Sequence, residues 1–205
     1  MRRISALLMT LILIDFILLA WVISLDEKVN LPQTETVVEK TVVKEPYDIF
    51  TKEGRAIVRE YAKPFEYRKE IPLDEDTQEY IYYLANAYSI EPMFVTALIE
   101  KESTYQPDLV SSTNDYGYMQ VNGINKEWLG TDLGVDNLLD PEQNIYAGVY
   151  ILQMLFEKYE DPSLVLMAYN MGEAGAKKLW EKGIYESNYS RGVLDIYWRL
   201  TDEDR

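Results

Sequence analysis

Three acidic–proline pairs constrain the fold of this chain most strongly. Glu91-Pro92, Asp140-Pro141 and Asp161-Pro162 each place a side chain that can cap a helix directly before a proline. Proline suits the first helical turn because the N–H that it lacks would have no partner there. The pairs therefore predict three α-helices and a mainly α-helical domain, which we expect over residues 73–205.

Two further helices and a long connecting segment complete this prediction. A helix capped by Asp76 or Thr77 is expected to run to about Ser89, and a last helix covers roughly residues 189–200. Residues 107–139 are rich in Gly, Asn, Ser and Asp and show no regular pattern. Aromatic and apolar residues recur throughout that segment, so we expect one long, ordered loop in the middle of the domain.

The N-terminal residues carry a second strong pattern. Residues 4–25 are apolar apart from three hydroxyl residues and Asp15, and about 22 residues suffice to span a hydrocarbon core. Arg2 and Arg3 precede the run, which favours a cytoplasmic N-terminus with the rest of the chain outside. We predict an uncleaved transmembrane signal anchor over residues 1–25, in a single pass through the cytoplasmic membrane. A cleavable signal peptide is the alternative.

Asp15 and the segment after the anchor leave two points open. A carboxylate in mid-span is costly in lipid, so Asp15 marks either a contact with a membrane partner or a charge tolerated in a very apolar helix. Residues 26–72 are interpreted as a stalk or linker, because their first half has too few large apolar groups to fold alone. Part of residues 47–72 is predicted to form a short helix that leads into the domain.

The residue types that the chain lacks limit its chemistry. It contains no Cys and no His, which excludes disulfides, Cys nucleophiles, Ser–His–Asp triads and His-based metal sites. Its net charge of −15 argues against nucleic acid as a partner, since phosphate binding needs clustered Lys and Arg. Carboxylate chemistry assisted by Tyr, Ser, Asn and Gln remains.

Glu102 lies where a carboxylic acid would be kept protonated. Val95, Leu98 and Ile99 occupy positions i, i+3 and i+4 of the predicted helix, and Glu102 continues this apolar stripe at i+7. Burial and the negative end of the helix dipole both raise the pKa of a carboxyl group there. Such an acid can protonate the leaving oxygen of a glycosidic bond. From periodicity alone, an outward-pointing Glu102 remains the alternative, and Glu100 is expected to face solvent.

Four blocks of sequence follow one another in a recognisable pattern. The first runs from Glu102-Ser103 to Gly117 and Gln120, with 18 residues from Glu to Gln (120 − 102). The others are DPEQNIYAG at 140–148, AYNMG at 168–172 and NYSRGVL at 188–194. Together these blocks resemble the soluble lytic transglycosylase (SLT) family, relatives of goose-type lysozyme, over about residues 75–200.

The resemblance implies a lysozyme-like fold with a substrate groove and assigns roles within it. The family's catalytic acid/base falls on Glu102. Amide and hydroxyl groups suit the N-acetyl and hydroxyl groups of sugars, and tyrosine adds a ring face. Asn122, two residues after Gln120, is expected to line the same groove. The substrate-binding residues expected on this basis are Ser111, Gln120, Asn122, Tyr169, Asn170 and Tyr189.

The activity that the resemblance implies is cleavage of peptidoglycan glycan strands. Glu102 would protonate the oxygen between N-acetylmuramic acid and N-acetylglucosamine, and would then accept the proton of the muramic C6 hydroxyl as that oxygen attacks C1. The product is a 1,6-anhydromuramic end, and no metal or cofactor is implied. Two alternatives remain open: a hydrolytic muramidase like goose-type lysozyme, and a non-catalytic glycan-binding component of a wall-spanning apparatus.

Asp115 bears on whether the chain is a transglycosylase or a hydrolytic muramidase. It lies 13 residues after Glu102 (115 − 102), in the region where goose-type lysozymes carry acidic residues that position water. We expect instead a turn residue that bonds its own backbone. In that case no second carboxylate faces Glu102, and the substrate must supply its own nucleophile.

Overall fold

The computed structural model describes residues 64–202. All of them belong to the second of two units, Glu45–Arg205. The predicted mainly α-helical class is confirmed for this part of the chain. The predicted anchor at residues 1–25 and most of the predicted linker lie outside the described residues. Between residues 64 and 202, no helix combines the length and the apolar character that a membrane crossing requires.

The described residues form six α-helices, two short strands and one 3-10 helix. In chain order they are α1 (Glu75–Ala87), α2 (Pro92–Ser103), β1 (Asp115–Tyr116), β2 (Val121–Asn122), the 3-10 helix (Gly123–Asn125), α3 (Lys126–Leu133), α4 (Pro141–Lys158), α5 (Pro162–Trp180) and α6 (Asn188–Asp202).

Each acidic–proline pair begins a helix, as predicted. The side chains of Glu91, Asp140 and Asp161 each accept a hydrogen bond from a backbone N–H of the first turn, at 3.0, 2.9 and 2.8 Å. These bonds satisfy donors that a helix leaves without internal partners. Because a cap and a proline act within one turn of chain, the starts of α2, α4 and α5 follow from local sequence.

The start of α1 differs from the prediction. Its cap is Asp74 rather than Asp76 or Thr77, since the Asp74 carboxylate accepts the N–H of Thr77 at 2.8 Å. Ile71 precedes this cap and is only 2% exposed. Packing of the domain core therefore begins before the predicted boundary at residue 73.

Helix α2 lies at the centre of the core. Its residues Val95, Leu98 and Ile99 are fully buried, as their spacing predicts. Helices α1 and α6 both pack against α2, while α5 contacts α4 and α6. Burial of one such aliphatic side chain contributes about 1.5–3 kcal/mol to stability. The last turn of α2 is thereby held rigidly, with α6 beside it.

The segment at residues 107–139 is ordered, as predicted, but it is not one irregular loop. Strands β1 and β2 pair antiparallel, with Asp115 opposite Asn122 and Tyr116 opposite Val121. The 3-10 helix and α3 follow directly. Helix α3 is not predicted from the sequence. It has eight residues and buries only Leu129, so it shows no periodic apolar pattern.

Candidate active site

A groove of about 670 Å³ is lined by the end of α2, the β-hairpin, α3, α4 and α5. It gathers six of the seven predicted site residues: Glu102, Ser111, Gln120, Asn122, Tyr169 and Asn170. The seventh, Tyr189, contacts Glu102 from α6 and does not itself line the groove. The tertiary structure thus brings together side chains that lie up to 87 residues apart in sequence.

Glu102 is half-buried in the last turn of α2 and lines the groove. Burial raises the pKa of this carboxyl to about 7. A hydrogen bond from the Tyr189 hydroxyl lowers the pKa, and the negative charge of Asp115 raises it. The outward-pointing alternative for Glu102 is wrong, and the carboxyl can act as a proton donor near neutral pH.

Tyr189 donates a short hydrogen bond to Oε1 of Glu102. The first turn of α6 is fixed by a reciprocal pair, in which Ser187 Oγ accepts the N–H of Ser190 at 3.0 Å and Ser190 Oγ accepts the N–H of Ser187 at 2.9 Å. Burial raises the pKa of Tyr189, and so does the charge of Glu102. Tyr189 therefore stays protonated and acts as a donor to the carboxyl group.

Glu100 is not the solvent-facing residue that the sequence predicts. Its side chain is 24% exposed, and it pairs with Arg199 of α6. Its other carboxylate oxygen accepts the hydroxyl of Tyr105 at 2.7 Å. Since Glu100 links α2 to α6 through Arg199, we expect substitution of Glu100 to affect the packing of these two helices.

Asp115 provides a second carboxylate in the groove. Its Oδ2 accepts from Ser111 Oγ at 2.6 Å and from the hydroxyl of Thr113, and its Oδ1 accepts from Asn122 Nδ2 at 2.6 Å. Burial raises the pKa of Asp115, but these three hydrogen bonds lower it by more. The net pKa is below the usual value, so Asp115 is ionised at neutral pH.

Both expectations about Asp115 are wrong. Its carboxylate bonds three side chains rather than its own backbone. It also lines the same groove as Glu102, so a second carboxylate is present there after all. The reason is the hairpin: pairing of β1 with β2 turns Asp115 towards Asn122 on the opposite strand.

Gln120 and Asn122 differ in what they can still offer to a ligand. Gln120 Nε2 donates to the carbonyls of Gly117 and Leu109 at 2.9 and 3.1 Å, which leaves its Oε1 as an acceptor in the groove. The amide of Asn122 instead donates to Thr113 and Asp115, and its Oδ1 accepts the N–H of Ile124 at 3.0 Å. Gln120 is therefore suited to contact a sugar, whereas Asn122 holds the loop and Asp115.

Asn144 of α4 is a positioning residue outside the predicted set. Its side chain is fully buried; Nδ2 donates to the carbonyls of Tyr116 and Leu138 at 2.7 and 2.9 Å, and Oδ1 accepts the N–H of Met119 at 2.8 Å. Gly117 lies against this amide with φ +69°, and a Cβ there would come within 2.6 Å of Nδ2. The sequence signal that could have identified Asn144 is a polar residue at a position of α4 that faces the core.

Helix α5 reaches the groove with its first half and then breaks. Tyr169 donates to the carbonyl of Met119 at 2.8 Å, and burial raises the pKa of Tyr169 well above its usual value. Asn170 is exposed and lines the groove. Gly172 interrupts the helix with φ 72° and ψ 155°, a conformation that favours glycine. Met119 and Ala168 are buried in the core.

One face of α4 forms a wall of the groove that the sequence did not predict. Ile151, Met154, Leu155 and Lys158 line it, at positions i, i+3, i+4 and i+7. Residues at this spacing share one helix face. Trp128 of α3 adds an aromatic ring to the lining. The groove thus combines an acidic part, which contains Glu102 and Asp115, with an apolar wall that ends in a lysine.

Curated relatives match parts of this chain. The transglycosylase of Enterobacteria phage PRD1 is 33% identical over 85 residues, which cover 42% of this chain and 31% of the relative. Membrane-bound lytic murein transglycosylase C of Pectobacterium atrosepticum is 30% identical over 156 residues, which cover 63% of this chain and 42% of the relative. The chain thus spans less than half of the length of these relatives.

Solved structures share the fold. The 70 kDa soluble lytic transglycosylase Slt70 of Escherichia coli has a TM-score of 0.53 at 20% identity, covering 64% of this chain and 25% of that one. An inactive mutant of the lytic transglycosylase Slt from Pseudomonas aeruginosa has a TM-score of 0.54 at 16% identity, covering 73% and 28%. The expected lysozyme-like fold is confirmed. A family model, the transglycosylase SLT domain, matches residues 79–191, more than half of the sequence, and this chain belongs to that family.

Proposed function

We propose that this chain cleaves the β-1,4 bond between N-acetylmuramic acid and N-acetylglucosamine in peptidoglycan and leaves 1,6-anhydromuramic ends. The observation that carries the proposal is Glu102, a half-buried acid whose pKa is raised to about 7 in a groove with amide and hydroxyl side chains. The names of the relatives, transglycosylase and lytic murein transglycosylase, support the same reaction.

Glu102 supplies the proton in the first step. Its acid form protonates the bridging oxygen as the bond from that oxygen to C1 of the muramic acid breaks. Tyr189 donates a hydrogen bond to Oε1 of Glu102, so Oε2 is the carboxyl oxygen that faces the substrate. The same hydrogen bond stabilises the carboxylate that remains after proton transfer. The ionised Asp115 stabilises the positive charge that develops at C1.

The second step returns the proton to Glu102. The C6 hydroxyl oxygen of the muramic acid attacks C1, and the carboxylate of Glu102 accepts the hydroxyl proton. One C–O bond breaks and another forms, so no water is consumed. The amide of Gln120 and the side chain of Asn170 are the groups that we expect to orient the sugars.

Mass spectrometry of fragments released from purified peptidoglycan tests this proposal. The expected fragments are lighter by one water than lysozyme products and have no reducing end. The Glu102→Gln chain should release them at least about a hundredfold more slowly. Release at an undiminished rate by that variant would contradict the role of Glu102, and no release by the unaltered chain would favour the non-catalytic glycan-binding alternative.

Hydrolysis is the second candidate, and Asp115 favours it. An ionised carboxylate in the same groove as the acid could position a water for attack on C1, as in glycosidases that use two carboxylates. Reaction in ¹⁸O-labelled water distinguishes the two reactions. Reducing-end muramic acid that carries the label, together with a large loss of rate in Asp115→Asn, would assign the chain as a muramidase.

The location that we propose is the outer side of the bacterial cytoplasmic membrane, with residues 1–25 as the anchor. The apolar run and its preceding arginines support this location. Several relatives are named membrane-bound, which agrees with it. Asp15 would then lie within the bilayer, where a membrane partner could satisfy it.

A further inference from the structure

The wall of the groove formed by α4 ends in a positive charge. Ile151, Met154 and Leu155 line the groove, and Lys158 follows on the same face of the helix. Of the groove-lining residues in the described part of the chain, Lys158 is the only cation; Glu102, Asp115 and Glu173 are acidic. A cation at this place is notable in a chain whose net charge is −15.

Lys158 belongs to a small charged cluster with net positive charge. Its Nζ lies 2.6 Å from Oε1 of Glu173, while Lys177 lies 3.6 Å from Oε2. Tyr159 donates its hydroxyl to the same Oε2 at 2.8 Å, and its pKa is raised, so it is neutral. Two ammonium groups thus share one carboxylate, which leaves one positive charge.

Lys158 retains the capacity to bind a ligand. An ammonium group has three donors, and the contact with Glu173 uses one of them. The side chain is 54% exposed, so the other donors are accessible. Helix α4 runs from Pro141 to Lys158, and its Asn144 contacts Tyr116 and Met119 of the hairpin segment. Lys158 lies 14 residues further along this helix (158 − 144), about 20 Å at the rise of an α-helix, so the cluster lies at the end of the groove away from the hairpin.

We propose that Lys158 binds a carboxylate carried on muramic acid, beyond the sugar that Glu102 cleaves. This inference rests on the proposed function. The carboxylate belongs either to the stem peptide or to the lactyl group itself, and both present the same chemistry. The positive charge of the Lys158 cluster attracts such a group, so it favours binding of a strand with a muramic carboxylate at this end of the groove.

Binding measured in the Glu102→Gln background tests this inference without turnover. Three ligands are compared with the full chain: peptide-bearing strands, strands stripped of peptide that keep the lactyl carboxylate, and uncharged oligomers of N-acetylglucosamine. Adding Lys158→Gln should weaken binding of a carboxylate-bearing ligand by about two- to fivefold, the size expected for one partly exposed charge pair, and should leave the uncharged oligomers unchanged. Loss confined to peptide-bearing strands identifies a carboxylate of the stem peptide. Loss confined to stripped strands identifies the lactyl carboxylate, which is free only where the peptide has been removed, and loss on both shows that Lys158 binds either one.

Two further variants control the measurement. Lys158→Arg keeps the charge and should retain most of the affinity. Lys178→Gln removes an exposed lysine of α5 that does not line the groove and should bind every ligand as before. Equal loss on all three ligands, or no loss on any, overturns the role of Lys158. The binding result and the cleavage result are independent. If Lys158→Gln selectively loses affinity for carboxylate-bearing ligands, but the chain with Glu102 intact releases no fragments, this inference holds and the proposed cleavage is wrong.

Discussion

At Glu102, two neighbours act on one carboxyl group in opposite senses. Tyr189 donates to its ionised form and lowers the pKa, while the negative charge of Asp115 raises it. Burial is the largest cause and raises the pKa to about 7. Burial, the two neighbours Tyr189 and Asp115, and the nearby charge of Lys101, which lowers the pKa, thus set the fraction of Glu102 that is protonated at neutral pH.

Replacement of Glu102 by Gln should abolish proton donation while it preserves shape. We expect the turnover rate on purified peptidoglycan to fall at least about a hundredfold, the usual contribution of one acid/base group. The control is Glu181→Gln, an exposed glutamate at the end of α5. Glu100→Gln cannot serve, because Glu100 pairs with Arg199. A Glu102→Gln chain that degrades peptidoglycan at nearly the unaltered rate would remove this residue from the mechanism.

The pH dependence of the reaction should report on the neighbours of Glu102. Because the acid form of Glu102 is the active one in the proposed mechanism, kcat/KM should fall as pH rises through about 7. Tyr189→Phe removes a hydrogen bond that lowers the pKa of Glu102, so the falling limb should move to higher pH. Asp115→Asn removes a charge that raises the pKa, so the limb should move to lower pH. Shifts of the two variants in the same direction would contradict these assignments.

Stability should depend on pH through the same group. The pKa of Glu102 is raised from 4.5 in the unfolded chain to about 7, so the folded state binds the proton more tightly. Ionisation in the folded protein therefore costs stability as pH rises above 4.5, and this cost is complete above about 7. Chemical denaturation should show Glu102→Gln to be more stable than the unaltered chain at pH 8 by up to about 3 kcal/mol, with no such gain at pH 4. An equal difference at both pH values would argue against a buried, titrating carboxyl.

At the scale of elements, the hairpin is held by a buried amide from α4. Asn144 makes three hydrogen bonds to backbone groups of residues 116, 119 and 138. These bonds give the loop that carries Gln120 one conformation, with Gly117 in the left-handed region beside the amide. A single side chain thus links a core helix to the groove.

Asn144→Ala should lower both stability and activity. The change leaves buried backbone donors and acceptors without partners, at a cost of about 1–3 kcal/mol for each such group. Two of the three hydrogen bonds are fully buried, so we expect the free energy of unfolding to fall by about 2–6 kcal/mol in a denaturant titration, with a lower kcat on peptidoglycan. Asn86→Ala, at an exposed position of α1, is the matched control and should be nearly neutral. Full activity in Asn144→Ala would mean that the loop is held by other contacts.

At the scale of the whole molecule, the main prediction concerns membrane topology. If residues 1–25 form an uncleaved anchor, the full chain should fractionate with membranes. Protease added to the outer side of the membrane should reach residues 64–202. Recovery of a soluble form that begins near Leu25 would show instead that the segment is a cleaved signal peptide.

Local signals in the sequence determined much of the architecture. A cap followed by proline acts within one turn, so the starts of α2, α4 and α5 were predictable, as was the burial of the apolar stripe of α2. The four blocks of sequence correctly indicated the SLT family. Helix α3 and the two-residue strands were not predictable, because elements that short depend on what packs against them.

Only the tertiary structure decided the contacts between elements that are distant in sequence. Tyr189 bonds Glu102 across 87 residues, and Arg199 bonds Glu100 across 99. The orientation of Asp115 depends on strand pairing, and the place of Lys158 depends on which face of α4 lines the groove. Periodicity specifies which residues share a face of an element, but the partner of that face depends on how the helices pack together. The sequence by itself therefore determined most of the helices and the place of Glu102 on a buried face, whereas packing decided the neighbours that set the pKa of Glu102 and the charges that line the groove.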